Sequence, residues 1–191
     1  MGKIIAGINI TLDGVCDHRY GIADDELHRH YSELLSSAGT VLYGRITYQL
    51  MEYWPPIVKN PTGNHAIDEF AVIMDSIPKI VFSRTLKKVD WESARIATRS
   101  FEEEVLALKQ QSDKDILIGS PSLIVTATEL NLVDQYQLCI HPIIAGKGLP
   151  LFKNISDMKF LKLIETKVFG SGAIVLYYEP TKSATRSEHE G

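Results

Sequence analysis

The chain has 191 residues, and a hydrophobic content of 45% allows a chain of this length to bury a sizeable core as a single domain. The formal net charge of −4 argues against a surface for nucleic acid or for an anionic membrane, and every apolar run is too short to span a bilayer. Two cysteines suggest no disulfide framework and the start of the chain shows no signal-peptide pattern, so we expect a cytoplasmic protein.

Strand-like and helix-like patterns alternate through most of the chain. A strand is predicted where apolar and β-branched residues run together, and a helix where apolar residues recur at helical spacing. In chain order, the first predicted elements are a strand at 3–10, a long loop at 11–23, a helix at 24–37, a strand at 40–43, a helix at 44–52, a proline-bearing loop, a helix around 67–74, and strands at 79–83 and 94–97.

A helix-start signal opens the next part of the chain. Ser100 and Glu103 have the spacing of a capping box, which predicts a helix with an apolar face. A short buried strand at 115–118 follows, and a further helix starts at Pro121, a residue suited to the first helical position. The alternation of strands and helices predicts a mainly parallel sheet with flanking helices.

The end of the chain changes character to strands alone. A glycine-rich turn at 170–172 joins the last two strands, which predicts an antiparallel hairpin. Residues 181–191 are polar and indicate a flexible tail, which leaves 1–180 as one domain. The strands predicted here are 133–141, 159–169 and 173–178.

The turn after the strand at 115–118 is a candidate anion site. The strand runs through Gly119 into Ser120 and Pro121, so it turns directly into a helix whose first N–H groups are free. Leu123 then starts a buried helical face. This turn predicts a phosphate-bearing cofactor, and the alternative is a βα connection in which the glycine merely permits the turn.

The same arrangement of strand end, small residue and polar side chains occurs at two other places. Ligands of open α/β sheets gather at the carboxyl ends of strands, so three such turns together predict a dinucleotide site. For each arginine taken alone, a solvated surface position is an equal alternative. The three turns carry Gly44, Arg45 and Thr47, then Ser83, Arg84 and Thr85, then Gly119 and Ser120.

The six histidines are scattered without the paired spacing of metal ligands. His28 and His30 lie two positions apart on a predicted helix, so their side chains point in different directions. The sequence therefore predicts no metal site.

The order of these features resembles a known fold family. A strand, the segment Gly-Arg-x-Thr-Tyr at 44–48, a strand with Ser-Arg, a strand with Gly-Ser and a final hairpin are similar to the dihydrofolate-reductase-like fold, a three-layer α/β/α arrangement. The segments 11–14 and 141–152 match more closely the branch related to the reductase domain of the bifunctional riboflavin-biosynthesis deaminase-reductase, the RibD C-terminal domain. The resemblance covers residues 2–179.

This resemblance implies a reductase that uses NADPH and takes a small heterocyclic, carbonyl or imine substrate, similar to 5-amino-6-(5-phosphoribosylamino)uracil reductase. It also implies a cis peptide bond between Gly119 and Ser120, as at the usual Gly-Gly turn of the fold. The implied cofactor residues are Gly44, Arg45 and Thr47 for the pyrophosphate and adenosine end, Ser83 and Arg84 with Thr85 for the 2′-phosphate region, Gly119, Ser120 and Leu123 for the pyrophosphate and nicotinamide side, and Leu12 and Gly14 along the nicotinamide.

Candidates for catalysis are less specific. Asp13 is the first candidate for a carboxylate that faces the substrate, with Tyr48 and Asp25 behind it. The alternative is a structural role for each, and Asp25 beside Asp24 suits the positive end of a helix dipole. His28 is another possible proton donor, and a proton taken directly from water would remove the need for all of these.

Three classes of function stay open at this point. The first is a small-molecule reductase that uses NADPH. The second is a true dihydrofolate reductase, which turnover of dihydrofolate would identify. The third is a non-catalytic nucleotide-binding module, which hydride transfer to any substrate would exclude. The sequence has no deaminase domain with zinc-binding His and Cys residues.

The C-terminal strands also predict a homodimer. The strands at 133–141 and 159–169 keep apolar residues on both faces, although a sheet face in water should be polar. The riboflavin-type branch is commonly dimeric. The alternative is that helices of the same chain cover this hairpin.

Overall fold

A computed structural model of the chain describes residues 2–22 and 24–181. It contains eight strands and six helices, with a 3-10 turn at His18–Tyr20. The strands are β1 (Ile4–Thr11), β2 (Ala38–Gly44), β3 (Lys79–Phe82), β4 (Ala94–Ile96), β5 (Asp115–Ile118), β6 (Gln135–His141), β7 (Phe160–Val168) and β8 (Ile174–Thr181). The helices are α1 (Asp25–Ser37), α2 (Arg45–Met51), α3 (Trp54–Lys59), α4 (His65–Ser76), α5 (Phe101–Gln111) and α6 (Pro121–Glu129).

All eight strands form one sheet in the order β4-β3-β2-β5-β1-β6-β8-β7. The six strands from β4 to β6 in this order pair in parallel, whereas β8 is antiparallel to both β6 and β7. The predicted three-layer α/β/α fold with a mainly parallel sheet and a C-terminal antiparallel hairpin is therefore confirmed.

The alternation of side chains along β1 divides the core into two layers. Ile4 and Ala6 pack on one face of the sheet, in a cluster that includes residues of α5 and α6. Ile5 packs on the other face, in a cluster that includes residues of α1, α2 and α4. Both faces of the central strands are covered, as is usual for parallel sheets.

The starts of the helices agree with the sequence signals. Ser100 and Glu103 form the predicted capping box in both directions. The Asp24 carboxylate caps α1 by accepting a hydrogen bond of 2.7 Å from the Leu27 N–H. The predicted role of acidic residues at the start of this helix is thus observed at Asp24.

One local prediction was wrong. The proline-bearing segment predicted as a loop contains α3, in which Pro55 lies in the first turn, where its missing N–H needs no partner. The helix predicted at 24–37 ends at Ser37, and β2 begins at Ala38, directly after it. β8 ends at Thr181, one residue past the predicted domain limit of 180, and the rest of the predicted tail lies outside the described residues.

Candidate functional site

The predicted cofactor turns lie together at one edge of the sheet. β3, β2 and β5 are adjacent and parallel, so their carboxyl ends face the same side of the molecule. The turns that follow these strands hold Ser83, Gly44 and Gly119 respectively. The structure therefore brings together the three segments that the sequence singled out separately.

A hydrogen bond joins two of these turns. The Ser120 Oγ accepts from the Gly44 N–H at 2.8 Å, and Ser120 is only 1% exposed. Ser120 occupies the N-cap position of α6, as predicted, but its side chain makes no capping bond because the hydroxyl is turned to Gly44. The N–H groups of the first turn of α6 consequently lack a side-chain cap.

Gly119 is required at its position by the neighbouring strand. A Cβ atom built on Gly119 would lie 2.9 Å from Cε1 of Tyr43, which is closer than real Cβ contacts. The predicted cis bond between Gly119 and Ser120 is wrong, since every peptide bond in the described part of the chain is trans. A cis bond between non-proline residues costs about 3–4 kcal/mol, and the hydrogen bond from the Gly44 N–H to the Ser120 hydroxyl is made with the trans form.

The charged and hydroxyl residues of the turns differ in how they are held. Arg45 is exposed and donates to the Gln49 side chain at 3.1 Å. Arg84 is exposed, next to Ser83, whose Oγ accepts from the Thr85 N–H at 3.2 Å. The Ser83 hydroxyl therefore fixes the turn that presents Arg84.

The two remaining cofactor candidates near these turns are partly or wholly covered. Thr47 lies half-buried on α2. Leu123 is 8% exposed and packs in the core beneath the turn at Gly119, so it supports the turn rather than facing the surface.

The loop after β1 is tied to the segment after β6. Both oxygens of Asp13 accept hydrogen bonds, from the Thr11 hydroxyl at 2.5 Å and from the N–H groups of Ala145 and Gly146 at 3.0 and 2.7 Å. The bond from Thr11, followed by those from Ala145 and Gly146, lowers the pKa of Asp13 to about 2. Asp13 is therefore ionised at neutral pH and cannot donate a proton.

Leu12 and Gly14 sit in the same loop. The Leu12 N–H donates to the Ile143 carbonyl at 2.8 Å, while the Leu12 side chain is 63% exposed. Gly14 has a φ of +78°, a backbone conformation that favours glycine. The loop thus presents an apolar side chain on a backbone fixed at both ends.

The structure does not bring Tyr48 and Asp25 to this edge as substrate-facing groups. Tyr48 is 1% exposed and packs against Trp91, with 6.3 Å between the ring centroids. Burial is the main cause that raises the pKa of Tyr48, so the phenol stays protonated at neutral pH. Asp25 accepts a hydrogen bond of 3.0 Å from the Asn64 side chain and so links the starts of α1 and α4.

The His28 side chain is also held by contacts within the protein. Its Nδ1 lies 2.9 Å from the Asp24 carbonyl oxygen, to which it donates. Its ring makes edge contacts with Trp54 and Phe70 at centroid distances of 6.2 and 5.8 Å. These contacts give His28 a structural role between α1 and its neighbours.

A cavity of about 170 Å³ that sequence reasoning missed lies at the ends of β1 and β6. The only available signal was Asn9, a polar residue inside an apolar strand, and it is the only exposed residue of β1. His141 begins the segment 141–152, which carries part of the family resemblance. The cavity is lined by Asn9, Ile10, Thr11, Asp17, His18, Tyr20, Gly21, Ile22, Leu27 and His141.

Hydrogen bonds connect the polar residues of the cavity wall. His141 is 2% exposed; its Nδ1 lies 3.1 Å from the Ile22 N–H and its Nε2 lies 3.0 Å from the Asn9 Oδ1. The Tyr31 hydroxyl donates to the same Asn9 oxygen at 3.0 Å. Burial lowers the pKa of His141, although Asp24 opposes the shift, so the ring is neutral at pH 7.

Two further kinds of feature are absent from the described residues. No group of three His, Cys, Asp or Glu side chains there is placed to hold a metal ion. Likewise, none of the helices within residues 2–22 and 24–181 combines the length and the apolar character needed to cross a bilayer.

Comparison with known proteins identifies the family. The RibD C-terminal domain profile matches residues 2–175. The chain is 34% identical over 182 residues to YyaP, an uncharacterized protein of Bacillus subtilis (strain 168), covering 92% of this chain and 94% of YyaP.

Two solved structures share the fold at lower sequence identity. A candidate riboflavin biosynthesis protein from Shewanella sp. PV-4 has a TM-score of 0.71 at 18% identity, over 94% of this chain and 99% of that one. A diaminohydroxyphosphoribosylaminopyrimidine deaminase/5-amino-6-(5-phosphoribosylamino)uracil reductase from Thermotoga maritima has a TM-score of 0.65 at 19% identity, over 94% of this chain and 57% of that one. The family predicted from the turn segments is confirmed: the chain belongs to the RibD C-terminal domain family.

Proposed function

We propose that the chain is an NADPH-dependent reductase that transfers a hydride to a C=N or C=O group of a small molecule. The observation that carries the proposal is the convergence of three polar turns on the adjacent parallel strands β3, β2 and β5. Family membership supports a reductase, and the Thermotoga relative bears the name of a uracil-derivative reductase. We propose a related reaction for this chain, with a substrate of its own.

The residues at these turns fit a cofactor that carries phosphates. Because the Ser120 hydroxyl is turned to Gly44, the first N–H groups of α6 remain available to an anion. Arg45 and Arg84 are exposed, and neither makes an ion pair with another residue in 2–22 or 24–181. A hydrogen bond from a guanidinium to a phosphate contributes about 1.5–3 kcal/mol, which is enough to select between two cofactors.

Each turn would hold a different part of NADPH. Gly44, Arg45 and Thr47 would bind the pyrophosphate and adenosine end, and Arg84, on the turn fixed by Ser83 and Thr85, would bind the 2′-phosphate. The turn at Gly119 and Ser120, supported by Leu123, would face the pyrophosphate and nicotinamide. Leu12 and Gly14 would lie along the nicotinamide. When bound, NADPH would supply the hydride, while the protein orients both reactants and excludes water.

The proton for the reaction is proposed to come from water in the cavity beside β1. Asp13 is ionised and accepts three hydrogen bonds, Tyr48 is buried, and Asp25 is bonded to Asn64. We therefore propose that Asp13 acts by holding the loop that carries Leu12.

Dihydrofolate is not favoured as the substrate. Dihydrofolate reductases bind the pterin through a carboxylate on the first helix. In this chain Asp24 instead caps α1, and Asp25 accepts a hydrogen bond from Asn64. Among the described residues, no carboxylate of α1 lines the cavity.

We also propose a homodimer in a reducing cytoplasm. β7 lies at the edge of the sheet. Seven consecutive residues of this strand are exposed, including Leu163 at 48% and Ile164 at 46%. Cys16 and Cys139 are both free thiols, which suits a reducing compartment.

A turnover screen tests the proposed function. The full chain is incubated with NADPH and a panel of small C=N and C=O compounds that includes dihydrofolate, and NADPH oxidation is followed by absorbance. We expect oxidation with a heterocyclic member of the panel and none with dihydrofolate. Oxidation with dihydrofolate alone would identify a dihydrofolate reductase, and failure to bind NADPH at all would reject the reductase.

A further inference from the structure

The protonation of His141 follows from its hydrogen bonds. The Ile22 N–H can only donate, so the Nδ1 that lies 3.1 Å away must be an unprotonated acceptor. A neutral imidazole with an unprotonated Nδ1 carries its proton on Nε2. The Nε2–H of His141 is therefore a donor, and the atom 3.0 Å from it must be an acceptor.

This donor fixes the orientation of the Asn9 side chain. The acceptor beside His141 has to be the Asn9 carbonyl oxygen Oδ1, because an NH2 group there would face another N–H. The Tyr31 hydroxyl also donates to Oδ1. Burial raises the pKa of Tyr31 well above its usual value, so the hydroxyl keeps its proton at every physiological pH.

The Asn9 NH2 group is left as a fixed donor in the cavity wall. No hydrogen bond engages it within the described residues, and Asn9 is the exposed residue of β1. The neighbouring Thr11 hydroxyl donates to Asp13, and both oxygens of Asp17 accept from Arg19. The Asn9 NH2 group is thus the unengaged donor that β1 presents to the cavity.

We propose that Asn9 contacts the substrate through its NH2 group, that His141 and Tyr31 are its positioning residues, and that the cavity consequently selects a hydrogen-bond acceptor such as a ring carbonyl. This inference rests on the proposed function, since it states what the substrate presents to that site. An amino group at the same place on a ligand would meet the Asn9 donor and would be rejected.

Two fragments of the same shape test the selection. Pyridine N-oxide presents an oxygen acceptor where aniline presents an amino group, and both are titrated into the full chain while amide NMR shifts are recorded. We expect pyridine N-oxide to bind about tenfold more tightly than aniline, the usual effect of one hydrogen bond. Equal affinities, or tighter binding of aniline, would overturn the inference.

Variants assign the selection to Asn9. Asn9→Asp keeps an oxygen acceptor for His141 and Tyr31 but replaces the NH2 donor by a second acceptor, so the preference should reverse toward aniline. Tyr31→Phe removes one positioning bond and should reduce the preference without reversing it. His65→Gln is the control, because the His65 side chain is 93% exposed and contacts no cavity residue. An unchanged preference in Asn9→Asp would overturn the inference.

A measurement on the unmodified protein covers the case in which Asn9→Asp fails to fold. Long-range nitrogen-proton NMR of His141 should show a protonated Nε2 and an unprotonated Nδ1, and the opposite tautomer would overturn the inference. NADPH binding is measured on the same samples. Binding of NADPH without a fragment preference rejects the role of Asn9 alone, and a fragment preference without NADPH binding rejects the reductase alone.

Discussion

The Ser120 hydroxyl oxygen accepts a hydrogen bond from the Gly44 backbone N–H at 2.8 Å across 76 positions of sequence. This bond joins the turn after β5 to the start of α2, and it leaves the N–H groups at the start of α6 without a side-chain cap. Two segments of the proposed cofactor site are thereby fixed relative to each other before any ligand binds. Preorganisation of this kind reduces the entropy lost on binding.

Ser120→Ala should lower the free energy of unfolding by about 1–3 kcal/mol, because the Gly44 N–H loses its partner in a half-buried position. Urea denaturation measures the change. Ser122→Ala is the matched control, since Ser122 is exposed two positions away in the same turn and should change stability by less than about 0.5 kcal/mol. Equal effects of the two variants would contradict the structural role of Ser120.

Gly119→Ala should destabilise the protein by about 1–3 kcal/mol through overpacking, because the new Cβ would meet the Tyr43 ring at 2.9 Å. Replacing Tyr43 by Leu in the same chain should restore part of the loss, as a double-mutant cycle would show. Gly21→Ala provides a control, since a Cβ there would find its nearest atom at 3.8 Å. Additive effects of the two substitutions would mean that Gly119 and Tyr43 do not interact.

His30 should make the protein less stable in mild acid. Burial, and then Lys167, lowers the pKa of His30 to about 4 from an ordinary 6.5, so the unfolded chain binds a proton between these values that the folded chain does not. The free energy of unfolding should therefore fall as pH drops from 6.5 to 4, by at most about 3 kcal/mol from this group.

Comparison of variants isolates this contribution from those of other groups. In His30→Phe, which can keep the ring contacts with Phe169 and Tyr177, urea denaturation should show a smaller loss of stability over that pH range. In His65→Gln, where the side chain is exposed, the loss should match that of the unmodified protein. A His30→Phe variant with the same pH dependence would contradict the neutral, buried state of His30.

The proposed dimer predicts the effect of charges on β7. Leu163 and Ile164 are 48% and 46% exposed in one chain, and a partner packed around the β7 edge of the sheet would cover them. Light scattering at micromolar concentration should give twice the mass of one chain, and Leu163→Glu with Ile164→Glu should give the mass of one chain with an unchanged helix content. A single-chain mass for the unmodified protein would reject the dimer.

Local chemistry made much of this fold predictable from the sequence. The capping box at Ser100, the hairpin turn before β8 and the turn at Ser83 each depend on residues within a few positions of one another. Parallel strand ends then have to meet at one edge, so convergence of the turns followed from the predicted topology. Helix α3 differs from the predicted loop because prolines are tolerated in the first turn of a helix.

The cavity could not be predicted, because its hydrogen bonds join residues far apart in the chain. His141 and Asn9 are separated by 132 positions and His141 and Ile22 by 119, and no local pattern indicates such pairs. The site assignment of Tyr48 depended on which face of α2 meets the sheet, and a helix of seven residues carries too little periodicity to decide that.

NADPH binding by the Arg84→Ala variant tests the central claim most directly. Dissociation constants of NADPH and NADH are measured by fluorescence for the unmodified chain, for Arg84→Ala and for Arg29→Ala, in which an exposed arginine of α1 is removed. We predict that the unmodified chain prefers NADPH, that Arg84→Ala weakens NADPH by about 10- to 100-fold with little change for NADH, and that Arg29→Ala changes neither. Equal losses for both cofactors in Arg84→Ala, or no NADPH binding by the unmodified chain, would contradict the account.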